Sequence, residues 1–125
     1  MALIVQKYGG SSVADTAAMK RVARRIADTH NAGHQVVVVV SAMGDTTDDL
    51  LDAAAELSSE PPEREMDILL SAGERISMAL LAMAVGELGV EARAYTGAQA
   101  GIRTDSHFGA AQIIGMVPER VARAV

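Results

Sequence analysis

Lys7-Tyr8-Gly9-Gly10-Ser11-Ser12-Val13 places a cation, two adjacent glycines and two hydroxyls in one short run. The run follows an apolar stretch, Ala2 to Val5, and leads into a helical pattern beginning near Asp15. A cation leaving a strand end, backbone N–H groups without Cβ shielding and hydroxyl donors together suit a polyanion, and point to phosphate. Glycine lets backbone approach phosphate oxygens closely and makes positive φ cheap. A lysine supplies the point charge that a phosphoryl group needs as its charge redistributes during transfer. The same residues also suit an ordinary strand-to-helix turn in which Lys7 is solvated and Ser12 or Asp15 caps the helix. The run is not a Walker A loop, because the lysine precedes the glycines, and neither G-x-x-x-x-G-K-[ST] nor G-x-G-x-x-G occurs in the chain.

Two further constellations carry chemistry. Ser41-Ala42-Met43-Gly44-Asp45-Thr46-Thr47 offers hydroxyls, a glycine and the start of a helix. It suits another anionic or polar group, or simple capping by Thr46 or Thr47. Glu74-Arg75 puts two charges in the middle of the most apolar helical pattern. A buried carboxylate there needs a cation or donors. Its partner is either a Lys or Arg of another element, in an ion pair that holds two layers in register, or the ammonium of a small substrate.

The elements that must position these groups alternate between strand and helix periods. Ala2 to Lys7 reads as a strand, and Asp15 to about Ala32 as a helix with Val22, Ala23, Ile26 and Ala27 on one face and Gly33 as its stop. The five consecutive valines of Gln35 to Val40 predict a central strand of a parallel sheet, covered on both faces. Thr46 to Leu57 is predicted helical, with Thr46 or Thr47 as N-cap and Asp48 and Asp49 in the first turn. Pro61-Pro62 breaks the chain, and Glu63 to Leu88 is the longest helical pattern, apolar nearly all round in its second half and so expected between layers or against a partner subunit. Glu91 to Tyr95 is expected as a strand, Gly97 to Gly101 as a turn and Gln112 to Val117 as another strand, and Pro118 opens a last helix. The fold class is α/β with a largely parallel sheet. Because ligands bind beyond the carboxyl ends of parallel strands, the loops Lys7 to Ser12, Ser41 to Thr47 and Tyr95 to Gly101 are expected to converge.

Composition narrows the partners. A chain of 125 residues, half of them apolar, is the size of one domain. A net charge of −5 argues against nucleic acid or an anionic membrane as the main partner, and the absence of cysteine excludes disulfides and thiolate chemistry. Met1 to Val5 is too short for a signal peptide, and the apolar stretches Val36 to Met43 and Ile76 to Gly86 are shorter than a membrane span. The expected setting is soluble and cytoplasmic.

The first two motifs, the second of them extending as Val40-Ser41-Ala42-Met43-Gly44-Asp45-Thr46-Thr47-Asp48-Asp49-Leu50-Leu51, occur with Leu70-Ser71-Ala72-Gly73-Glu74-Arg75-Ile76-Ser77 and Thr96-Gly97-Ala98-Gln99-Ala100-Gly101. In this order they resemble the N-terminal part of the aspartokinases, in the amino acid kinase family. The resemblance implies a three-layer α/β/α sandwich, incomplete here, in which residues 1–125 form the substrate-side part of the kinase domain. It implies transfer of the γ-phosphoryl of ATP, with Mg2+, to the β-carboxylate of L-aspartate, the entry to lysine, threonine and methionine synthesis. Lys7 would stabilise the transferring group, with Tyr8, Gly9, Gly10 and Ser41 beside the phosphates. Asp45, Thr46, Thr47 and Glu74 would hold the aspartate. The nucleotide-binding half and the ACT regulatory domains of that family do not fall within these residues, so the 125-residue chain is expected to be inactive alone and to associate with copies of itself or with other kinase subunits. The alternatives are a non-catalytic structural or assembly fragment, or a related kinase acting on glutamate or a nucleoside monophosphate.

The remaining polar residues read as structural. His30 and His34 have a metal-ligand spacing, but Gly33 ends the helix between them. His107 stands alone in a polar loop. Arg21, Arg24 and Arg25 read as a solvated helix face, although the stretch Arg25 to His30 could border the site in the family. The seven methionines read as core filling.

Overall fold

The computed structural model describes residues 1–125. Strand β1 (Leu3–Tyr8) runs into a 3₁₀ turn (Gly10–Val13) and helix α1 (Thr16–Asn31), which returns the chain to strand β2 (Gln35–Val40). Helices α2 (Thr46–Leu57) and α3 (Glu63–Glu87) follow, then strands β3 (Ile102–Thr104) and β4 (Ile113–Met116) and a short helix α4 (Glu119–Ala124). The α/β class therefore stands. β1 and β2 pair in parallel from Leu3 opposite Gln35 to Tyr8 opposite Val40, while β3 and β4 form a separate antiparallel hairpin.

α1 owes its boundaries to local chemistry. The Asp15 side chain accepts the Ala18 N–H at 2.8 Å, satisfying one of the donors that a helix start leaves free. At the far end Gly33 adopts φ 94° and donates its N–H to the His30 carbonyl at 2.9 Å, a left-handed stop that a side chain would resist. His34 lies past that stop, where its Nδ1 accepts the Ala2 N–H at 3.0 Å. The two histidines thus share no helix face.

The core forms where α1 meets α3 and one face of the sheet. Met19, Val22, Ala23, Ile26 and Ala27 recur at helical spacing and are buried against Val13, Leu81, Val85 and Val90. Val36, Val38 and Val40 press on this cluster from the sheet. Side-chain alternation puts Ile4, Gln6 and Tyr8 on that same face. A hydrogen-bonded chain ties β1 to α1: Tyr8 Oη donates to Gln6 Oε1 at 2.8 Å, Gln6 Nε2 to Thr29 Oγ1 at 2.9 Å, and Thr29 Oγ1 to the Arg25 carbonyl at 2.9 Å. Burial raises the Tyr8 pKa above its ordinary value of 10.0, and the nearby Arg25 charge offsets part of that rise.

The other face of the sheet stays open. Leu3 and Val5 of β1 and Val39 of β2 remain 59%, 63% and 51% exposed, so the helical layer that would complete a three-layer sandwich is not supplied by these residues. The valine run is accordingly not a doubly covered central strand: β2 pairs only with β1. α3 also departs from expectation. It buries a narrow face of Gly73, Ser77, Leu81 and Val85, while Ile68, Ile76 and Met83 are more than half exposed. By length and composition α3 could cross a membrane, a test that core helices of soluble proteins also pass.

Two local expectations are overturned. Residues 91–95 form no strand, since no backbone hydrogen bond joins them to β1 or β2. Val90 is held in the core, but Ala92 and Ala94 are too small to anchor an alternating face and are exposed. Neither Thr46 nor Thr47 caps α2: the cap position falls on Asp45, whose side chain makes no capping hydrogen bond. Asp48 and Asp49 do occupy the first turn.

Replacing Asp15 by Ala is expected to lower stability by about 1 kcal/mol through the lost cap, read as a fall in the urea midpoint with an unchanged slope. Tyr8 ionisation, followed by absorbance in a Tyr95→Phe background, should occur above pH 10.0 and move higher still in Arg25→Gln. Because the unfolded phenol ionises first, this group's contribution to stability is full below that pH and declines as pH rises past it.

Candidate functional site

The carboxyl ends of β1 and β2 lie side by side because the strands are parallel and in register, so the two loops leave the sheet together. The Ser41 N–H donates to the Tyr8 carbonyl at 3.0 Å, extending the ladder past the strand end. One step further the Gly44 N–H donates to the Gly10 carbonyl, also at 3.0 Å. The contact is so close that a Cβ at Gly10 would sit 3.0 Å from the Gly44 carbonyl oxygen and 3.1 Å from that of Ala42. Gly44 takes φ 49° and lies against Ala14. The first and second motifs are therefore locked together by backbone.

The third motif joins them from α3. A Cβ at Gly73 would meet Ala42 Cβ and Thr46 Cγ2 at 3.2 Å each and Leu50 Cδ1 at 3.6 Å. The missing side chain lets α3 approach the start of α2, and Glu74 follows directly on the helix. Gly10, Gly44 and Gly73 thus bring three of the four motifs to one place.

Within this frame the individual residues are distributed as follows. Lys7 is exposed on the open face of the sheet, opposite Val39. Tyr8 points to the other face, where its hydroxyl is engaged with Gln6. Gly9 has φ −77° and ψ 173°, open space where a Cβ would stand, and an N–H that no backbone carbonyl accepts. Positive φ explains neither Gly9 nor Gly10, since neither adopts it. Ser41 is half-buried, Asp45 and Thr47 are exposed, and Thr46 is half-buried with its methyl on Gly73. Glu74 and Arg75 are exposed, not buried. α3 turns Gly73 and Ser77 inward, which places the intervening charged pair on its accessible side, so Glu74 needs no internal cation and no ion pair holds it.

The fourth motif does not join the other three by any hydrogen bond. Thr96 and Gln99 close a turn on each other, the Thr96 N–H to Gln99 Oε1 at 3.0 Å and the Gln99 N–H to Thr96 Oγ1 at 3.2 Å. Gly101, at φ 90°, accepts the Val117 N–H at 2.8 Å and so belongs to the β3–β4 hairpin. Arg21 and Arg25, read from the sequence as part of a solvated helix face, line a cavity beside the Ser11-Ser12 turn. Their spacing of one helical turn was the available signal.

Comparison with known proteins bears on the family and the fold. Residues 2–122 match the model of the amino acid kinase family. The chain is 62% identical over its whole length to an aspartokinase of Mycolicibacterium smegmatis, of which it covers 30%, and 46% identical to an aspartokinase of Thermus thermophilus, of which it covers 31%. The crystal structure of aspartate kinase from Synechocystis superposes on 80% of this chain and 17% of its own, with a TM-score of 0.77 at 52% identity. The chain spans less than a third of the length of these relatives. With its motifs in order, its parallel β1–β2 unit and its family match over nearly every residue, the chain belongs to the amino acid kinase family.

Proposed function

We propose that these residues form the acceptor side of an aspartate kinase domain, transferring the γ-phosphoryl of ATP to the β-carboxylate of L-aspartate, as a first step toward lysine, threonine and methionine. The observation that carries this reading is the meeting of two motif loops and one motif helix at Gly10, Gly44 and Gly73. A phosphoryl donor and a small acceptor must be held together, and phosphoryl transfer depends mainly on such positioning and on charge stabilisation.

The residues fit the phosphate groups of ATP. Gly9 combines free space with an unpaired N–H, Gly10 continues the same turn, and Lys7 and Tyr8 precede it on β1. In this reading the Lys7 ammonium stabilises charge on the transferring group, and Ser41 stands beside the phosphates at the neighbouring strand end. Mg2+ bound with ATP would supply further neutralisation of the phosphate charge.

The acceptor side follows from charge. The uncapped start of α2 leaves helix N–H groups for a carboxylate, with Thr46 and Thr47 at hand. Asp45, Asp48 and Asp49 surround it with negative charge, which disfavours a bare polyanion and favours a zwitterion bearing an ammonium. Glu74, accessible beside Gly73, receives that ammonium. The exposed apolar face of the sheet supports association with further copies or with other kinase subunits.

The test is a chimaera in which these residues replace the corresponding part of the Mycolicibacterium smegmatis aspartokinase, assayed with ATP, Mg2+, L-aspartate and hydroxylamine. Aspartyl hydroxamate should form with the chimaera and not with the 125-residue chain alone. Lys7→Ala should lower kcat by about 10²–10³-fold, and Glu74→Gln should raise the KM for aspartate with a smaller change in kcat. Equal turnover of L-glutamate, or an unaltered rate in Lys7→Ala, would sink the assignment. The two glycines should separate. Gly10→Ala, whose Cβ meets backbone, should cost about 1–3 kcal/mol of stability, whereas Gly9→Ala should stay within about 0.5 kcal/mol of the parent and lose activity.

A further inference from the structure

On the side of β1 opposite Lys7, a cavity of about 330 Å3 lies between the 3₁₀ turn and α1. Tyr8, Ser11 and Ser12 line it from one side, and Ala18, Arg21 and Arg25 from the other. Its volume is within the range that holds small ligands.

The charge in this cavity is uncompensated. Arg21 and Arg25 stand one turn apart on the same helix face, where like charges repel. Neither takes part in an ion pair: the three pairs of the chain are Arg64–Glu65, Arg93–Glu91 and His107–Asp105. Asp28 lies one turn beyond Arg25 without pairing to it, and Asp15 is engaged at the start of α1. A chain of net charge −5 nonetheless gathers four of its eleven cations between Lys20 and Arg25. The Tyr8 hydroxyl donates its proton to Gln6, which leaves the two guanidiniums and the serine hydroxyls as the donors facing the space. A planar guanidinium binds phosphate through paired hydrogen bonds.

We propose that this cavity binds a phosphate-class dianion, free or as a phosphate monoester, held by Arg21 and Arg25 with Ser11 and Ser12. The Lys7 side chain points away from this cavity, because β1 directs Lys7 and Tyr8 to opposite faces of the sheet. The site does not depend on the kinase reading. Its effect on the rest of the molecule runs through the turn: an occupant held by Ser11 and Ser12 on one side and α1 on the other braces the segment that begins at Gly9.

Inorganic phosphate, titrated calorimetrically into the protein without nucleotide and at constant chloride, tests the proposal. Phosphate is expected to bind and to raise the thermal midpoint. Arg21→Gln/Arg25→Gln should weaken binding by about tenfold or more. Lys20→Gln/Arg24→Gln, which removes the same charge from the same helix outside the cavity, should change it less than about twofold. Should the glutamine pair disturb folding, Arg21→Lys/Arg25→Lys retains the charge and should still weaken binding severalfold by losing the paired geometry. No binding up to about 10 mM phosphate, which corresponds to less than about 2.7 kcal/mol, would overturn the site. Equal weakening by the two glutamine pairs would overturn it in favour of general electrostatics, and displacement of phosphate by equimolar L-aspartate would overturn it in favour of a carboxylate ligand.

Discussion

The hydrogen bond from the Gly44 N–H to the Gly10 carbonyl, made possible by two residues that lack side chains, is the contact on which the rest of the molecule depends. Parallel pairing of β1 and β2 brings two strand ends together but leaves their loops free to diverge. The 3.0 Å approach of backbone to backbone removes that freedom. Once the loops are joined, α2 must start where it does, and Gly73 can seat α3 on Ala42 and Thr46. Close packing of this sort transmits position well, because there is no flexible side chain in the path to absorb a displacement.

What could be read from the sequence was what local chemistry determines. α1 is bounded by an aspartate that caps and a glycine that stops, and both features act within a few residues of themselves. The valine run announced a strand for the same reason. Features that depend on neighbours were not legible. Whether β2 is central depends on strands that pair with it, and here only β1 does. Residues 91–95 alternate like a strand, yet alanines at 92 and 94 give the pattern nothing to hold. The charge pair Glu74-Arg75 looked buried because its helix is apolar, but the helix buries only the face through Gly73 and Ser77. Apolar composition reports how much could be covered, and the partners present decide how much is.

The same division applies to the site. The turn and the second loop were legible as neighbours because both leave the carboxyl ends of parallel strands, but the loop Tyr95 to Gly101, expected with them, closes on itself and on the β3–β4 hairpin instead. The motif residues did not indicate that Lys7 and Tyr8 address different sides of the sheet, which follows from strand alternation once the covered face is known. The arginines of α1 were legible only as a cationic helix face, since a cavity needs a second wall and that wall is the turn of Ser11 and Ser12.

The adjacent glycines of the first loop answer to different demands. At position 10 the chain itself forbids a side chain, as carbonyl oxygens of the neighbouring loop stand 3.0 and 3.1 Å away. At position 9 nothing inside the chain objects to one. Evolutionary drift should tell them apart: a lineage released from its ligand would retain the second glycine to stay folded while the first wandered, so that a substituted position 9 beside an intact position 10 is the expected scar of a retired member of this family.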